Sequence, residues 1–199
     1  SISYSKGTIF DYLSVLETFI HSRIQRDYIL MGHSLGGLLS MAIMRRGAPV
    51  SRSIWMEPAI FDLPLKTRLM LPLFRHYMRY TPHNKEAVIK RNAELMWNDW
   101  AHPSKREAFL NAYFNSDRHT HALLVGTYGK LYPWKLETIQ QPVLCIRGEK
   151  DTFISEATLK IVERLPNAQL AIIPQAAHFL LHENNDALFK AIYDFLGSG

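Results

Sequence analysis

The chain has 199 residues, 47% of them hydrophobic, 12% aromatic and 21% charged, with 23 Lys+Arg against 18 Asp+Glu. That length suits one domain, or one domain carrying a large insertion, and the aromatic content without low-complexity tracts excludes intrinsic disorder. The single cysteine, Cys145, excludes a disulfide scaffold and a cysteine-ligated metal cluster. Apolar runs fall short of the ~18 residues that span a bilayer, and the scattered +5 charge forms no basic stripe for nucleic acid. The chain starts at Ser1 rather than Met and closes on Gly197-Ser198-Gly199, a natural tail or a linker, so neither end is read for targeting. The expected compartment is the cytoplasm.

The first element is an amphipathic helix whose apolar positions run Ile9, Tyr12, Leu13, Leu16, Phe19, Ile20 and Ile24, with Thr8 able to cap its start. Tyr28-Ile29-Leu30-Met31, bounded by Arg26-Asp27 and Gly32, reads as a buried strand. Leu35 to Arg46 is helical and stops at Gly47, which suits the left-handed position after a helix. Ser53 to Met56 is a second short strand. From Pro58 to about Glu137 no strand pattern occurs; helical stretches rich in Met, Trp, Tyr and Phe follow one another, punctuated by Pro64, Pro72, Pro82, Pro103 and Pro133. Within it, Ser104-Lys105-Arg106-Glu107 has the spacing of a capping box.

Strand–helix alternation resumes after Gln141-Pro142. Val143 to Ile146 is a strand, Ser155 to Leu165 a helix closed by Pro166, and Gln169 to Ile173 a strand. The last helix, Asn185 to Leu196, is expected to bury Leu188, Phe189, Ile192, Phe195 and Leu196. Short apolar strands separated by helices predict an α/β fold with a mostly parallel sheet and helices on both faces. The expected organisation is an α/β core over 1–57, a helical insertion over 58–138, and the core again over 139–199.

Chemistry concentrates at Gly32-His33-Ser34-Leu35-Gly36-Gly37, a G-x-S-x-G pattern. So short a pattern can arise by chance; its place between a predicted strand and a predicted helix sets this one apart. A serine on such a sharp turn needs nearly side-chain-free neighbours two positions away, and Gly32 and Gly36 meet that need. The helix that follows aims backbone N–H groups, Leu35's first, at an oxyanion forming beside the serine.

A serine hydroxyl needs a base, and the base an orienting acid. Of nine histidines, His178 stands just after the last predicted strand, in Gln175-Ala176-Ala177-His178-Phe179. His182 is read as structural, and His33 as packing or bonding locally beside the site rather than as a base. The acid is sought where a strand ends, and Arg147-Gly148-Glu149-Lys150-Asp151 offers Asp151, with Glu149 read as solvated. Glu57, after the Ser53–Met56 strand, is the competitor for that role.

The order Ser34, Asp151, His178, with the elbow Gly32–Gly37 and the loops carrying acid and histidine, resembles the α/β-hydrolase superfamily. The resemblance spans the chain outside the insertion, which looks like the helical cap of the esterase, C–C hydrolase and haloperoxidase-like branch. It implies a serine hydrolase without cofactor or metal, with Ser34 as nucleophile, Asp151 and His178 completing a triad, and Leu35 in the oxyanion hole. Serine rather than aspartate at the elbow speaks against dehalogenase and epoxide-hydrolase chemistry. One departure is large: such proteins place roughly 70 more residues before the helix preceding the elbow, supplying strands and a second oxyanion donor. Ser1–Gly7 cannot do either, and losing such a donor costs about 10²–10³ in rate. Tyr28–Met31 is then an open edge, and the expectation is that an upstream segment or a second chain completes the sheet.

Aromatic residues of the insertion, Trp97, Trp100, Trp134, Tyr77, Tyr80, Phe109 and Phe114, are read mostly as its own core, with Trp134 offered to substrate. His33, Phe153 and Phe179 are expected around the pocket, Lys66, Arg68, Arg75 and Arg79 on a solvated face, and Cys145 in the core. The expected substrate is an ester or thioester with a hydrophobic acyl or aryl part. An acyltransferase, a C–C bond hydrolase and a non-catalytic hydrolase-like binding module stand as alternatives.

Overall fold

The computed structural model describes residues 8–60, 65–66, 69–70, 73, 94, 96–98, 102–115, 127–131, 133–152 and 155–197. Helix α1 (Ile9–Arg23) opens on Thr8, whose backbone N–H donates to the Asp11 carboxylate at 2.5 Å. Its inward stripe is Ile9, Leu13 and Ile20, with Leu16 packed alongside. Phe19, expected on that stripe, is exposed, because it lies about 80° round the helix from Ile9. Strand β1 (Tyr28–His33) leads into helix α2 (Leu35–Arg45), after which Gly47 takes a left-handed φ of 82°.

Strand β2 (Val50–Met56) starts three residues before its apolar signal. Arg52 disguises the strand: its guanidinium reaches over the Phe195 ring and donates to the Phe195 carbonyl at 2.8 Å. Between Met56 and Val143 no strand occurs among the described residues. Helix α3 (Pro103–Asn115) and 3₁₀ turns at Tyr128–Leu131 and Leu136–Thr138 lie there. The capping box expected at Ser104 is not formed. Pro103 takes the first helical position, where its missing N–H is no loss, and the Ser104 hydroxyl bonds His102 Nδ1 instead at 2.8 Å.

Strand β3 (Val143–Gly148), helix α4 (Ser155–Arg164), strand β4 (Ala168–Ile173), the short helix α5 (Leu180–Glu183) and helix α6 (Asn185–Gly197) complete the described fold. The four strands are parallel in the order β1-β2-β3-β4. Alternation along the strands splits the core between the two sheet faces. Trp55, Val143 and Cys145 join Leu13, Leu38, Met41 and Ile161 on the α1, α2 and α4 side. Ile54, Leu144, Ile146 and Ile173 join Leu188, Ile192 and Phe195 on the α6 side. Phe189, expected in that second cluster, is exposed and stacks on Tyr193, because α6 presents only the Leu188–Ile192–Phe195 stripe to the sheet.

Cys145 is a core residue as expected, and burial pushes its thiol up to about 12. Strand β1 is one of the two outer strands among the described residues, with Ile29 and Met31 exposed. No described helix is long and apolar enough to cross a membrane. The pairing of His33 with Met56 and of Met56 with Ile146 brings the strands' carboxyl ends level. That edge is where a parallel sheet collects its ligands, and Ser34, Glu57, Asp151 and His178 each follow one of those ends.

Candidate active site

Ser34 stands between β1 and α2 with φ 53° and ψ −115°. Non-glycine residues rarely adopt positive φ, and strain of this kind persists only where surroundings over-determine it. Here they do. Ser34 N–H donates to the Met56 carbonyl at 2.8 Å, and the Ser34 carbonyl accepts from Gly37 and Ala59 N–H at 3.0 and 2.9 Å. A Cβ on Gly32 would lie 2.2 Å from the Gly36 carbonyl oxygen, so that glycine is required as expected. Gly36 is not: a Cβ there meets nothing within 4 Å, since its carbonyl rather than its Cα faces Gly32. The second tight glycine is Gly37, whose Cβ would come 2.8 Å from Pro58 Cβ. Leu35 opens α2, so its N–H belongs to the first turn, where helix N–H groups have no intrahelical acceptor.

At the opposite side of the sheet edge, His178 Nδ1 donates to Asp151 Oδ2 at 3.0 Å, with the side chains 1% and 0% exposed. That donation fixes the tautomer in which Nε2 carries the lone pair. The two loops are laced by Glu149 N–H to the Ile173 carbonyl at 2.9 Å and Lys150 N–H to the Ala176 carbonyl at 2.8 Å. Glu149 is exposed, as expected, while its carboxylate accepts from Gln175 N–H at 3.0 Å. Gly148 is where the loops touch: a Cβ there would lie 2.4 Å from the carbonyl oxygens of both Ala176 and Ala177.

Glu57, the competitor acid, is also present. It is fully buried, and its Oε1 accepts from Gly148 N–H. One ligating atom each from Glu57, Asp151 and His178 lie within 4.8 Å of one another. Burial first, and then the charge of Asp151, push the Glu57 carboxyl up to about 9, against a lowering pull from the Gly148 N–H and Arg147. By spacing these groups would suit a cation. Of the imidazole nitrogens, Nδ1 is taken up by Asp151.

A family model described as the alpha/beta hydrolase family matches residues 4–191. The chain belongs to that family. It is 27% identical over 177 residues to the 2-hydroxy-6-oxo-6-phenylhexa-2,4-dienoate hydrolase of Delftia acidovorans, covering 86% of this chain and 54% of that protein. It is also 27% identical over 173 residues to the 2-hydroxy-6-oxononadienedioate/2-hydroxy-6-oxononatrienedioate hydrolase of Comamonas testosteroni, covering 86% and 54%. The chain thus spans about half the length of these curated relatives. Among solved structures, MenH from S. aureus superposes with a TM-score of 0.80 at 22% identity, over 99% of this chain and 79% of that one. At that identity the likeness concerns the α/β-hydrolase fold.

Within this hydrolase fold, His33 sits between elbow and histidine loop. Its Nε2–H donates to the His178 carbonyl at 2.7 Å, and its ring lies 4.8 Å from that of His178, centroid to centroid. Burial and the neighbouring His178 push it down to about 4, so it is neutral at neutral pH. Phe179 stands beside both rings, 5.4 Å from His178 and 6.1 Å from His33. Trp97 and Phe109 of the insertion pack against Phe179, and the Trp97 ring lies 5.8 Å from His182.

Trp134, offered above to substrate, is only 1% exposed and embedded with Leu136, Ile139 and Ile161. Enclosed in that cluster, it borders a small cavity shared with Ile60, Lys160 and Ile161, and its apolar bulk packs into the core. Phe153, Trp100, Tyr77, Tyr80, Arg68, Arg75, Arg79 and the Phe114 side chain lie outside the described residues, as does Ser1–Gly7, while Lys66 is exposed.

The segment between β2 and β3 also touches the histidine loop through hydrogen bonds. His178 N–H donates to the Met96 carbonyl at 2.9 Å, and Asn98 Nδ2 donates to the Gln175 carbonyl at 3.0 Å. Glu183 bridges both sides, accepting from Asn98 N–H at 2.5 Å and Ala177 N–H at 2.8 Å. Sequence reasoning missed this seam. Its only legible signal is an acid in the turn after the histidine, which by itself reads as solvated.

Proposed function

We propose that the chain carries a serine hydrolase centre, with Ser34 as nucleophile, His178 as base and Asp151 as its orienting acid. Supporting this above all is the buried His178–Asp151 hydrogen bond of 3.0 Å on the sheet edge that presents the strained Ser34. Ser34 Oγ attacks a carbonyl carbon while His178 Nε2 takes its proton, and Asp151 stabilises the imidazolium. Leu35 N–H donates to the oxyanion; the family resemblance expects a second donor from an upstream loop. Collapse expels the leaving group, protonated by His178, and leaves an acyl-serine. Water, deprotonated by His178, then releases the acid and restores Ser34.

The substrate class favoured is an ester or thioester with an apolar acyl or aryl part, supported by Phe179 and Trp97 beside the two histidines. The segment 58–138 is proposed as a cap over the centre and 1–57 with 139–199 as the core. The relatives named for hydrolysing 2-hydroxy-6-oxo-dienoates favour a second reading, carbon–carbon cleavage beside a ketone, through the same serine and histidine.

The test is covalent labelling with a fluorophosphonate probe together with turnover of p-nitrophenyl butyrate and of a 2-hydroxy-6-oxo-dienoate. Labelling and turnover in wild type, both lost in Ser34→Ala, support the proposal; the preferred substrate decides between the two bonds. A well-folded wild type that neither labels nor turns over either substrate would make the chain a binding module.

A further inference from the structure

We propose that Glu57 is a positioning residue, held as a neutral carboxylic acid whose hydroxyl donates to the Asp151 carboxylate and so steadies it on His178 Nδ1. This rests on the reading of Asp151 and His178 as the acid and base of Ser34, and deepens it.

The backbone places this side chain with care. Glu57 immediately follows β2 at φ 43°, in the left-handed region, and its N–H donates to the Ile146 carbonyl of β3 at 2.8 Å. A non-glycine residue kept there turns its side chain into the gap between the ends of β2 and β3 instead of continuing the strand. The side chain is 0% exposed. Oε1 is satisfied by Gly148 N–H, whereas Oε2 is buried with no partner in hydrogen-bond geometry among the described residues.

Two ionised carboxylates beside a single imidazole would leave one buried negative charge uncompensated, a state that proteins avoid by protonating one of the pair. One proton on Oε2 resolves every requirement at once. Oε1 remains a carbonyl acceptor for Gly148, Oε2–H becomes a donor toward Asp151, and Asp151 keeps its charge for His178. The raised affinity of Glu57 for its proton, up to about 9, agrees with this assignment. Among the described residues, the charged or titratable groups facing the cluster are Asp151 and Arg147 from the end of β3, His178 from the loop after β4, and His33 beyond it at the end of β1.

Two readouts on wild type, Glu57→Gln and Glu57→Ala test it. The first is the melting temperature against pH, which needs no activity. The native state keeps a proton that the unfolded chain gives up above the ordinary value of 4.5, so Glu57 withdraws stability as pH rises toward about 9. Glu57→Gln, a permanently neutral isostere with an acceptor and a donor in place, is expected to melt with wild type near pH 4.5. It should then rise above wild type by several degrees at pH 8. Equal melting curves at every pH, or a variant less stable than wild type at pH 8, would overturn the proposal.

The second readout is the pH profile of kcat/KM on p-nitrophenyl butyrate. Glu57→Gln is expected within about threefold of wild type at pH 7, with the same acidic limb and kcat as the parameter that moves. Glu57→Ala should lose about tenfold or more in kcat. The wild type should decline on the alkaline side as Glu57 ionises, and Glu57→Gln should lack that decline. A Glu57→Gln variant inactivated by orders of magnitude would mean that Glu57 acts ionised. If wild type turns over no ester, the hydrolase reading fails, while the melting curves still decide the protonation of Glu57.

Discussion

The two sides of the site are stabilised by opposite means. Ser34 is half-buried and strained, held by main-chain hydrogen bonds and by glycines that let backbone approach backbone. Asp151, His178 and Glu57 are buried, and beyond the main-chain bonds that lace their loops they depend on charge and proton placement. The elbow therefore tolerates changes in side-chain chemistry around it but not in backbone geometry. The buried cluster tolerates isosteres but not a misplaced proton or charge.

The largest effect should come from reversing a hydrogen bond inside the cluster without altering its shape. Asp151→Asn offers His178 an amide and favours the tautomer with the proton on Nε2, where the lone pair is needed. Ester kcat is expected to fall about 10³–10⁴-fold with little change in melting temperature. Steady-state kinetics beside a thermal melt measures both. A variant that keeps more than a tenth of wild-type kcat would mean that Asp151 is not the orienting acid.

Gly148→Ala adds only a methyl, yet it attacks the place where backbone packing and buried cluster meet. The new Cβ would stand 2.4 Å from the carbonyl oxygens of Ala176 and Ala177, neither of which is a flexible chain end. It would also displace the N–H that Glu57 Oε1 accepts. A loss of about 3 kcal/mol in urea unfolding is expected, with activity lost in step. Gly36→Ala is the control: its Cβ position is open, so stability should hold or rise. Equal losses in the two variants would show that close approach is not what selects glycine at 148.

The elbow side was more legible from the sequence than the buried side, for physical reasons. A strained turn demands glycine at specific offsets, and strand and helix flank it as periodic patterns, so Gly32 and Ser34 stand out. Asp151 and His178 stand in the loops just after apolar strands, and that position is what proposes them. The reach of a side chain was not legible. Glu57 looked like an alternative to Asp151, because sequence order does not reveal that both carboxyls enter one gap. Trp134 looked like a pocket wall because composition cannot tell an insertion's own core from its cleft. The seam from Met96 and Asn98 to the histidine loop was invisible, since its bonds use mostly main-chain groups that every residue carries.

His33 offers the smallest and most selective test, because it joins the two sides. Its Nε2–H ties the elbow to the His178 carbonyl at 2.7 Å, and it stays neutral because burial and His178 hold it at about 4 instead of 6.5. The native state therefore refuses a proton that the unfolded chain accepts. The stability this contributes is complete above pH 6.5 and lost as pH falls toward 4. That slope is opposite to the one Glu57 imposes between 4.5 and about 9, so the two contributions cancel between 4.5 and 6.5 and their joint maximum lies there, on the acid side of neutrality. His33→Gln keeps an amide donor for the carbonyl and removes the titration; it should flatten the acidic side of the curve and retain activity within about threefold. His33→Phe keeps the ring but loses the donor, and should lower kcat about tenfold while leaving the alkaline slope intact. If both variants keep wild-type kcat, the bond across the cleft does not position His178, and the two sides of the site are independent.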